Sequence, residues 1–177
     1  MPVTQPPSAW VERFAPRIPE HGVVLDLACG AGRHARHLLG LGYRVVAVDV
    51  DVSRLVDIGP AHRIEVVEAD LETKPWPFLG KRFDGIVVTN YLHRPLLPIL
   101  VESLADGGAL IYETFATGHE KLGRPRNPNY LLNPGELRAA FVPPLVLVAY
   151  EEATDPAPNA AVRQRICALK EVTRRST

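Results

Sequence analysis

Apolar runs and helical segments alternate along most of the chain. Five apolar runs predict buried strands: His21–Leu27, Arg44–Val50, Arg63–Ala69, Phe83–Thr89 and Ala109–Phe115. Three segments between them carry helix start or stop signals and predict helices: Arg33–Leu41, Ser53–Ile58 and Leu96–Ala105. Because strands that alternate with helices are joined by right-handed crossovers, this pattern predicts a parallel sheet.

Two further helices are predicted nearer the ends of the chain. Ser8 has the position of an N-cap for a first helix within an N-terminal helical segment, 1–20. Asn133 is predicted to cap a later helix that runs to Phe141, with Glu136 completing a capping-box-like pair.

The end of the chain departs from the alternation of strand and helix. Two β-type runs, Leu145–Glu152 and Ala161–Val172, predict a hairpin, so one strand must run antiparallel to the rest. The tail 173–177 is expected to fray. The whole chain, 1–177, is predicted to form one domain.

The most specific chemical pattern lies where the first strand ends. Residues 23–34 read Val-Val-Leu-Asp-Leu-Ala-Cys-Gly-Ala-Gly-Arg-His. Gly30 and Gly32 permit a tight turn and let a ligand approach the backbone where no Cβ projects. The helix that follows directs free N–H groups at that ligand. Asp26 adds a carboxylate that attracts a cation, which favours a nucleotide-like ligand bearing positive charge over one bearing phosphates.

Two more strands also lead to an acid. Asp49 lies near the end of the second strand, 19 residues after Gly30, where nucleotide-binding α/β folds hold a ribose hydroxyl pair. Asp70 follows the third strand. Because the carboxyl ends of parallel strands meet at one edge of a sheet, these acids are predicted to lie near the glycine turn.

Together these residues resemble the class I S-adenosylmethionine-dependent methyltransferases. The resemblance implies an α/β, Rossmann-like doubly wound fold with a seven-stranded sheet, mostly parallel with one antiparallel strand in the C-terminal hairpin. It implies S-adenosylmethionine as cofactor, with the glycine loop around its methionine end, Asp49 at the ribose and Asp70 by the adenine amino group. The cofactor-binding residues that it assigns are Asp26, Ala28, Gly30, Gly32, Arg33, Asp49, Val50, Asp70, Leu71 and Asn90.

Alternatives to this interpretation of the glycine segment stay open. Residues 30–35 also satisfy the dinucleotide fingerprint Gly-x-Gly-x-x-Gly/Ala, which would indicate an NAD-dependent dehydrogenase. Asp26 argues against that interpretation because a carboxylate would repel a pyrophosphate. A purely structural interpretation treats the glycines as turn residues and the acids as coincidental. The chain departs from the methyltransferase pattern at Ala28, where the family often has glycine.

Composition narrows the class of protein. The 177 residues are 46% hydrophobic and 23% charged, which is typical of a globular domain with a real core. The 20 basic and 20 acidic residues give a formal net charge of zero, which makes nucleic acid an unlikely partner. The two cysteines have no zinc or disulfide spacing, and no metal site is predicted. With no signal sequence and no membrane-spanning run, we expect a cytoplasmic monomer or homodimer.

The segment after the fourth strand is predicted to face the methyl acceptor, because ligands bind beyond the carboxyl ends of the strands. Tyr91 and His93 lie in this segment and are the candidate catalytic residues. His93 is either a general base, since histidine titrates near neutrality, or a packing residue at a helix entrance. Tyr91 is either a catalyst or part of the wall of the site.

The segment 117–133, after the fifth strand, is long for a connection and is predicted to be a substrate loop. It is locally basic in a neutral protein. The residues in it that we expect to contact substrate are His119, Arg124, Arg126 and Tyr130. The alternative is a solvated loop, although its apolar end favours docking onto the domain. The runs 112–118 and 134–137 also look like small bacterial methyltransferases of the tellurite-resistance type.

These patterns predict an enzyme that transfers a methyl group to a small-molecule acceptor. The chain reads Asn-Tyr-Leu-His after the fourth strand rather than Asn/Asp-Pro-Pro-Tyr, which weighs against methylation of a nucleobase amine. The alternatives are a methyltransferase acting on RNA or protein, a non-catalytic S-adenosylmethionine-binding module and, enzymatically, a dehydrogenase.

Overall fold

The computed structural model describes residues 5–56, 58 and 62–173. Seven strands form one sheet: β1 (Val23–Leu27), β2 (Arg44–Asp49), β3 (Ile64–Glu68), β4 (Phe83–Thr89), β5 (Leu104–Phe115), β6 (Val146–Asp155) and β7 (Ala161–Leu169). The α-helices of the described part are α1 (Ala9–Phe14), α2 (Arg33–Gly40), α3 (Leu97–Ser103) and α4 (Glu136–Phe141).

The strand order is β3-β2-β1-β4-β5-β7-β6. Neighbouring strands from β3 to β5 pair in parallel, whereas β7 runs antiparallel to both β5 and β6. The prediction of a mostly parallel seven-stranded sheet with one antiparallel strand is therefore confirmed. The order reverses between β1 and β4, so the carboxyl ends of these strands border a crevice of the kind in which α/β sheets bind ligands.

Each face of the sheet has its own apolar core. On one face, α1 and α2 bury Trp10, Val11 and Leu38 against β-strand residues such as Ile111. On the other face, Leu100 of α3 and Phe141 of α4 pack with Phe83 and Tyr112. Apolar side chains thus point both ways from the central strands, which explains why those strands are apolar at nearly every position.

Among the differences from the predicted element boundaries, the largest is at the junction of α3 and β5. The helix predicted to reach Ala105 ends at Ser103, and β5 begins at Leu104 rather than Ala109. The sequence Asp-Gly-Gly, which directly follows the predicted end of the helix, lies within β5 as an irregularity in the pairing with β4. There the Gly107 N–H donates to the carbonyl of Lys170, the residue that follows β7. This hydrogen bond compensates for the interrupted pairing between β5 and β4.

The helix caps were predicted with mixed success. Ser8 accepts a hydrogen bond from the Trp10 backbone N–H at 3.1 Å, as expected of an N-cap. The prediction of Asn133 as the cap of α4 is wrong, because the helix begins at Glu136 with Gly135 as its N-cap. Half of the expected pair exists, since the Glu136 carboxylate accepts from the Asn133 backbone N–H at 2.7 Å.

Some predicted segments extend beyond the described residues. The helix predicted over Ser53–Ile58 is a single 3₁₀ turn at Ser53–Leu55, and residue 57 lies outside the described part. Residues 1–4 of the N-terminal segment and residues 174–177 of the tail also lie outside it. Within the described ranges, no helix has the length and apolar character needed to cross a bilayer.

Candidate active site

Two adjoining cavities lie at the carboxyl ends of the central strands. Their volumes are about 680 and 460 Å³, and they share Ala28 and Asn90. The structure brings most of the predicted cofactor residues to their walls: Ala28, Gly30, Arg33, Asp49, Val50, Asp70, Leu71 and Asn90. The cavities thus occupy the crevice that the strand order creates.

The glycine turn after β1 has left-handed backbone at alternate positions. Ala28, Gly30 and Gly32 have φ values of 53°, 55° and 76°. The φ of Gly32 would strain any other residue, and a Cβ there would lie 2.5 Å from Cδ1 of Ile58, so that side chain would also have to move. A Cβ at Gly30 would meet only the Arg54 side chain at 3.9 Å, so the surface above Gly30 is open to a ligand. The alanine at position 28 costs about 1–2 kcal/mol of backbone strain, which glycine would avoid.

Asp26 is a buried carboxylate beneath this turn. Its side chain is 1% exposed, and its Oδ2 atom has no hydrogen-bond partner within the described ranges. Burial raises the pKa of Asp26 to about 7, although the Ala35 backbone N–H and the charge of Arg33 act in the opposite direction. An unsatisfied carboxylate oxygen in such a place would be stabilised by a cationic ligand group.

Asp49 and Asp70 order the backbone around the cavities. The Asp49 carboxylate accepts from the Gly30 backbone N–H at 2.8 Å, so it joins the end of β2 to the glycine turn. Asp70 accepts from the Thr73 hydroxyl and from the N–H groups of Glu72 and Thr73. These bonds, the hydroxyl first, lower the pKa of Asp70 and keep it ionised.

His34 is a residue of the site that the sequence did not reveal. Its imidazole is 1% exposed; Nε2 accepts from the Ser8 backbone N–H at 3.1 Å, and Nδ1 lies 3.3 Å from the Thr89 hydroxyl. Burial lowers the pKa of His34 to about 3, so the ring is neutral. His34 therefore ties the N-terminal segment to the end of β4 beside the larger cavity. No sequence pattern marks this role, because both contacts join distant segments.

The candidate catalytic residues have different surroundings. Tyr91 forms part of the wall of the smaller cavity. Burial, together with the nearby charges of Glu72 and Asp70, raises the pKa of Tyr91, so its phenol stays protonated at neutral pH. His93 is half-buried at the start of a 3₁₀ turn, where its carbonyl accepts from Leu96 N–H.

The predicted substrate loop, 117–133, is docked onto the domain. Its two ends are joined by a bridge between Ala116 and Leu132. Within it, His119 is buried, stacks on Phe115 with ring centroids 4.2 Å apart, and has Nε2 2.9 Å from the Arg124 carbonyl. The imidazole therefore packs between the loop and strands β5 and β7, with Nδ1 3.4 Å from the Val162 backbone nitrogen, which corrects the expectation that it faces substrate. The other three predicted contact residues are exposed: Arg124, Arg126 and Tyr130.

Arg94 holds the end of this loop, and sequence reasoning missed it. Its guanidinium forms two hydrogen bonds with the Glu136 carboxylate, at 2.6 and 2.9 Å. It also donates to the carbonyls of Asn129 and Leu131, both at 2.9 Å. One side chain thus connects the exit of β4, the loop and α4. The capping position of Glu136 was visible in the sequence, but its arginine partner, 42 residues away, was not.

A third cavity, of about 570 Å³, lies beside the largest one, at the turn end of the β6–β7 hairpin. Its floor is an ionic cluster in which Arg165 contacts three carboxylates, Glu113, Glu151 and Asp155, at 2.6–2.8 Å. Arg33 borders both this cavity and the largest one. Among the residues described, no group of three or more histidine, cysteine, aspartate or glutamate side chains is arranged to hold a metal ion.

The fold and the site define an α/β domain of the nucleotide-binding type, with a glycine turn and three acids at the crevice. A family profile described as "Methyltransferase domain" matches residues 24–107, which contain all of these features. This part of the chain, just under half of its length, therefore matches a methyltransferase domain.

UbiE proteins from two organisms resemble part of the chain. It is 32% identical over 114 residues to a ubiquinone/menaquinone biosynthesis C-methyltransferase, UbiE, of Pseudomonas savastanoi pv. phaseolicola. That match covers 56% of this chain and 44% of the relative, so the chain spans less than half of the relative's length. The UbiE of Pseudomonas fluorescens is also 32% identical, over 108 residues, covering 52% of this chain and 41% of the relative.

Two solved structures share the fold. TehB from Haemophilus influenzae superimposes with a TM-score of 0.78 at 20% identity, over 95% of this chain and 64% of TehB. The 1,6-didemethyltoxoflavin-N1-methyltransferase of Burkholderia thailandensis, solved with its substrate and S-adenosylhomocysteine, gives a TM-score of 0.66 at 19% identity, over 92% of this chain and 76% of that chain. At this level of identity the likeness establishes the fold.

Proposed function

We propose that this protein transfers a methyl group from S-adenosylmethionine to a small-molecule acceptor. The observation that carries the proposal is the glycine turn above Asp26, whose buried carboxylate oxygen lacks a partner among the described residues. A ligand that combines a nucleoside with positive charge suits this turn better than a dinucleotide. The toxoflavin enzyme and the UbiE proteins, as their names state, methylate small molecules, which favours an acceptor of that class.

The residues present fit the cofactor. Gly30 leaves the backbone approachable, and Asp26 supplies a carboxylate with one oxygen that has no partner among the described residues. Asp49 and Asp70 line the walls where the ribose and adenine are expected. When bound, S-adenosylmethionine supplies a methyl group that its sulfonium already activates. The protein then has to position the acceptor and exclude water, and oriented encounter alone is worth about 7–11 kcal/mol. Tyr91 and His93 stay candidate catalytic residues in this proposal.

Titration calorimetry tests the cofactor assignment. We expect S-adenosylmethionine and S-adenosylhomocysteine to bind and NAD to bind poorly, because Asp26 would oppose a pyrophosphate. Tight binding of NAD without binding of S-adenosylhomocysteine would overturn the proposal. Size-exclusion chromatography with light scattering checks the proposed monomer or homodimer, and cell fractionation checks the proposed cytoplasmic location.

Asp49→Ala is expected to weaken cofactor binding about 10- to 150-fold, since hydrogen bonds to a charged group are worth about 1.5–3 kcal/mol. Asp49→Asn is the matched control, because its amide oxygen can still accept from Gly30 N–H while the charge is lost. We expect the asparagine variant to lose less affinity than the alanine variant. A change below about threefold for Asp49→Ala, with an unaltered Tm, would remove Asp49 from the cofactor site.

Replacing both Arg124 and Arg126 by alanine should lower kcat/KM for an acidic acceptor and leave cofactor affinity nearly unchanged. Both side chains are exposed on a loop that leaves the carboxyl end of β5, and arginine binds an acidic group bidentately. Arg82→Ala, at an exposed arginine before β4, controls for the loss of positive charge. If the double variant has wild-type kinetics with the true acceptor, the loop is only a connection.

A further inference from the structure

Asn90 lies at the junction of the two cavities that adjoin the glycine turn. It follows β4 directly and has left-handed backbone, with φ of 56°. Its backbone N–H donates to the carbonyl of Glu113 on β5 at 3.0 Å, which fixes the main chain at this point. The Asn90 side-chain amide is therefore placed to contact a ligand bound at this junction.

Arg163 decides which end of the Asn90 amide is available. The guanidinium donates a hydrogen bond to the Asn90 side-chain oxygen. Because a guanidinium has donors and no acceptor, the amide oxygen rather than the nitrogen must face it. The amide nitrogen of Asn90 makes no hydrogen bond to any residue in the ranges 5–56, 58 and 62–173. The NH₂ group is thus the end that remains for a ligand.

The guanidinium of Arg163 is itself held from two sides. Its Nε lies 3.3 Å from an Asp155 carboxylate oxygen. Its central carbon lies 4.2 Å from the centroid of the Phe115 ring, in a cation–π contact. The side chain is 15% exposed. An arginine fixed in this way keeps the Asn90 amide in one orientation.

We propose that Asn90, oriented by Arg163, donates a hydrogen bond to the methyl acceptor, and that the acceptor presents an acidic oxygen, such as a carboxylate, at this junction. This inference rests on the proposed function and specifies its substrate class, and it reassigns Asn90 from the cofactor, to which the resemblance assigned it, to the acceptor. Arg163 takes one of the two lone pairs of the amide oxygen, whereas both donors of the NH₂ group are left for a ligand, so an acceptor oxygen matches this side chain better than an N–H. Arg163 is in this sense a positioning residue.

The charge of the neighbouring cavity agrees with an acidic acceptor. Arg163 and Arg165 share three carboxylate partners, so this cluster alone has a net charge of −1. Arg13 and Arg33 also line this cavity, and neither forms a salt bridge in the part of the chain that the structure describes. The charged side chains that line the cavity therefore sum to +1, which favours an anion.

The test uses the whole chain saturated with S-adenosylhomocysteine and two probes of similar shape, benzoate and benzylamine. Nuclear magnetic resonance follows the side-chain NH₂ signals of Asn90, which are assigned by their absence from the Asn90→Asp spectrum. We expect benzoate to shift these signals and to bind at least about tenfold more tightly than benzylamine. A preference below about twofold would overturn the inference, and so would failure of both probes to bind.

Three variants distinguish the effect of the Asn90 amide orientation from an effect on the stability of the fold. Asn90→Asp keeps an oxygen for Arg163 but removes the donor, so the benzoate preference should disappear while the Tm is kept. Arg163→Met should also abolish the preference, because the amide is then free to rotate. Arg163→Lys, which can still donate to the Asn90 oxygen, should retain it. A preference that survives in Arg163→Met would overturn the positioning role.

Calorimetry with S-adenosylhomocysteine separates this inference from the proposed function. If the wild-type protein does not bind S-adenosylhomocysteine, the proposed function fails. If it binds and Asn90→Asp weakens that binding while the benzoate preference persists, the Asn90 donor serves the cofactor and the inference about the acceptor fails. Unchanged cofactor affinity with a lost benzoate preference supports the inference.

Discussion

At the scale of single residues, Asp26 links stability to ligand binding. The folded protein holds a proton on this carboxyl up to a pKa of about 7, whereas the ordinary pKa of an aspartate side chain, which the unfolded chain retains, is 3.8. Between these values the folded state binds more protons than the unfolded state, so the free energy of unfolding falls as the pH rises. Ionised Asp26 is costly in the folded state unless a cationic ligand group stabilises it.

Without cofactor, the Asp26→Asn variant should therefore be more stable than the wild-type protein at pH 8, by an amount on the order of 4 kcal/mol. Below pH 4 the substitution should change the free energy of unfolding very little. Denaturant unfolding of both proteins at several pH values measures the difference in the free energy of unfolding. The contribution of His34 to the pH dependence is the same in both proteins and cancels in this difference. The same variant should bind S-adenosylmethionine more weakly. Equal pH dependence of stability in the two proteins would contradict the raised pKa.

The sequence identified those residues of the site whose role depends on local chain order. Asp49 and the glycines were found because a strand end and a turn each leave a pattern within a few residues. His34, Arg94 and Arg163 were not found, since their partners are 26 to 73 residues away. Hydrogen bonds over such separations depend on packing, and nothing in a single sequence indicates them.

At the scale of elements, the loop 117–133 and α4 depend on contacts that other elements provide. Helix α4 begins at Glu136 after the N-cap Gly135, and the Leu137 N–H donates to the side chain of Gln164 on β7. Arg94, from the segment after β4, satisfies two carbonyls of the loop. The sequence correctly predicted that the loop docks, because its end is apolar, and missed the arginine that holds it.

Arg94→Ala should loosen the end of the loop. We expect hydrogen-exchange protection of the Tyr130 and Leu131 amides to fall by about tenfold, because hydrogen bonds to a charged group are worth about 1.5–3 kcal/mol. Arg94→Lys is the matched control, since it keeps the charge but cannot reach both carbonyls and Glu136 together, and it should give an intermediate loss. Unchanged protection in the alanine variant would show that apolar packing alone docks the loop.

At the scale of the whole molecule, the zero net charge affects how readily copies of the protein associate with one another. With 20 basic and 20 acidic residues, copies of the protein repel one another least near pH 7. Light scattering should therefore show the strongest self-association near neutrality. Lys74→Glu together with Arg82→Glu, at two exposed positions, brings the net charge to about −4 and should suppress that association. Association that is indifferent to pH in both proteins would indicate a specific interface instead.

The sequence by itself determined the α/β class, the sheet with its antiparallel strand and the glycine turn with its three acids. These features follow from local periodicity, from strand-to-helix alternation and from a turn that needs glycine, all of which act over a few neighbouring residues. Only the tertiary structure decided that β5 begins at Leu104, that His119 packs against Val162 of β7 and that Arg163 orients Asn90. Each of these depends on which distant groups meet when the two cores form, because a buried polar group takes whichever partner the packing brings to it.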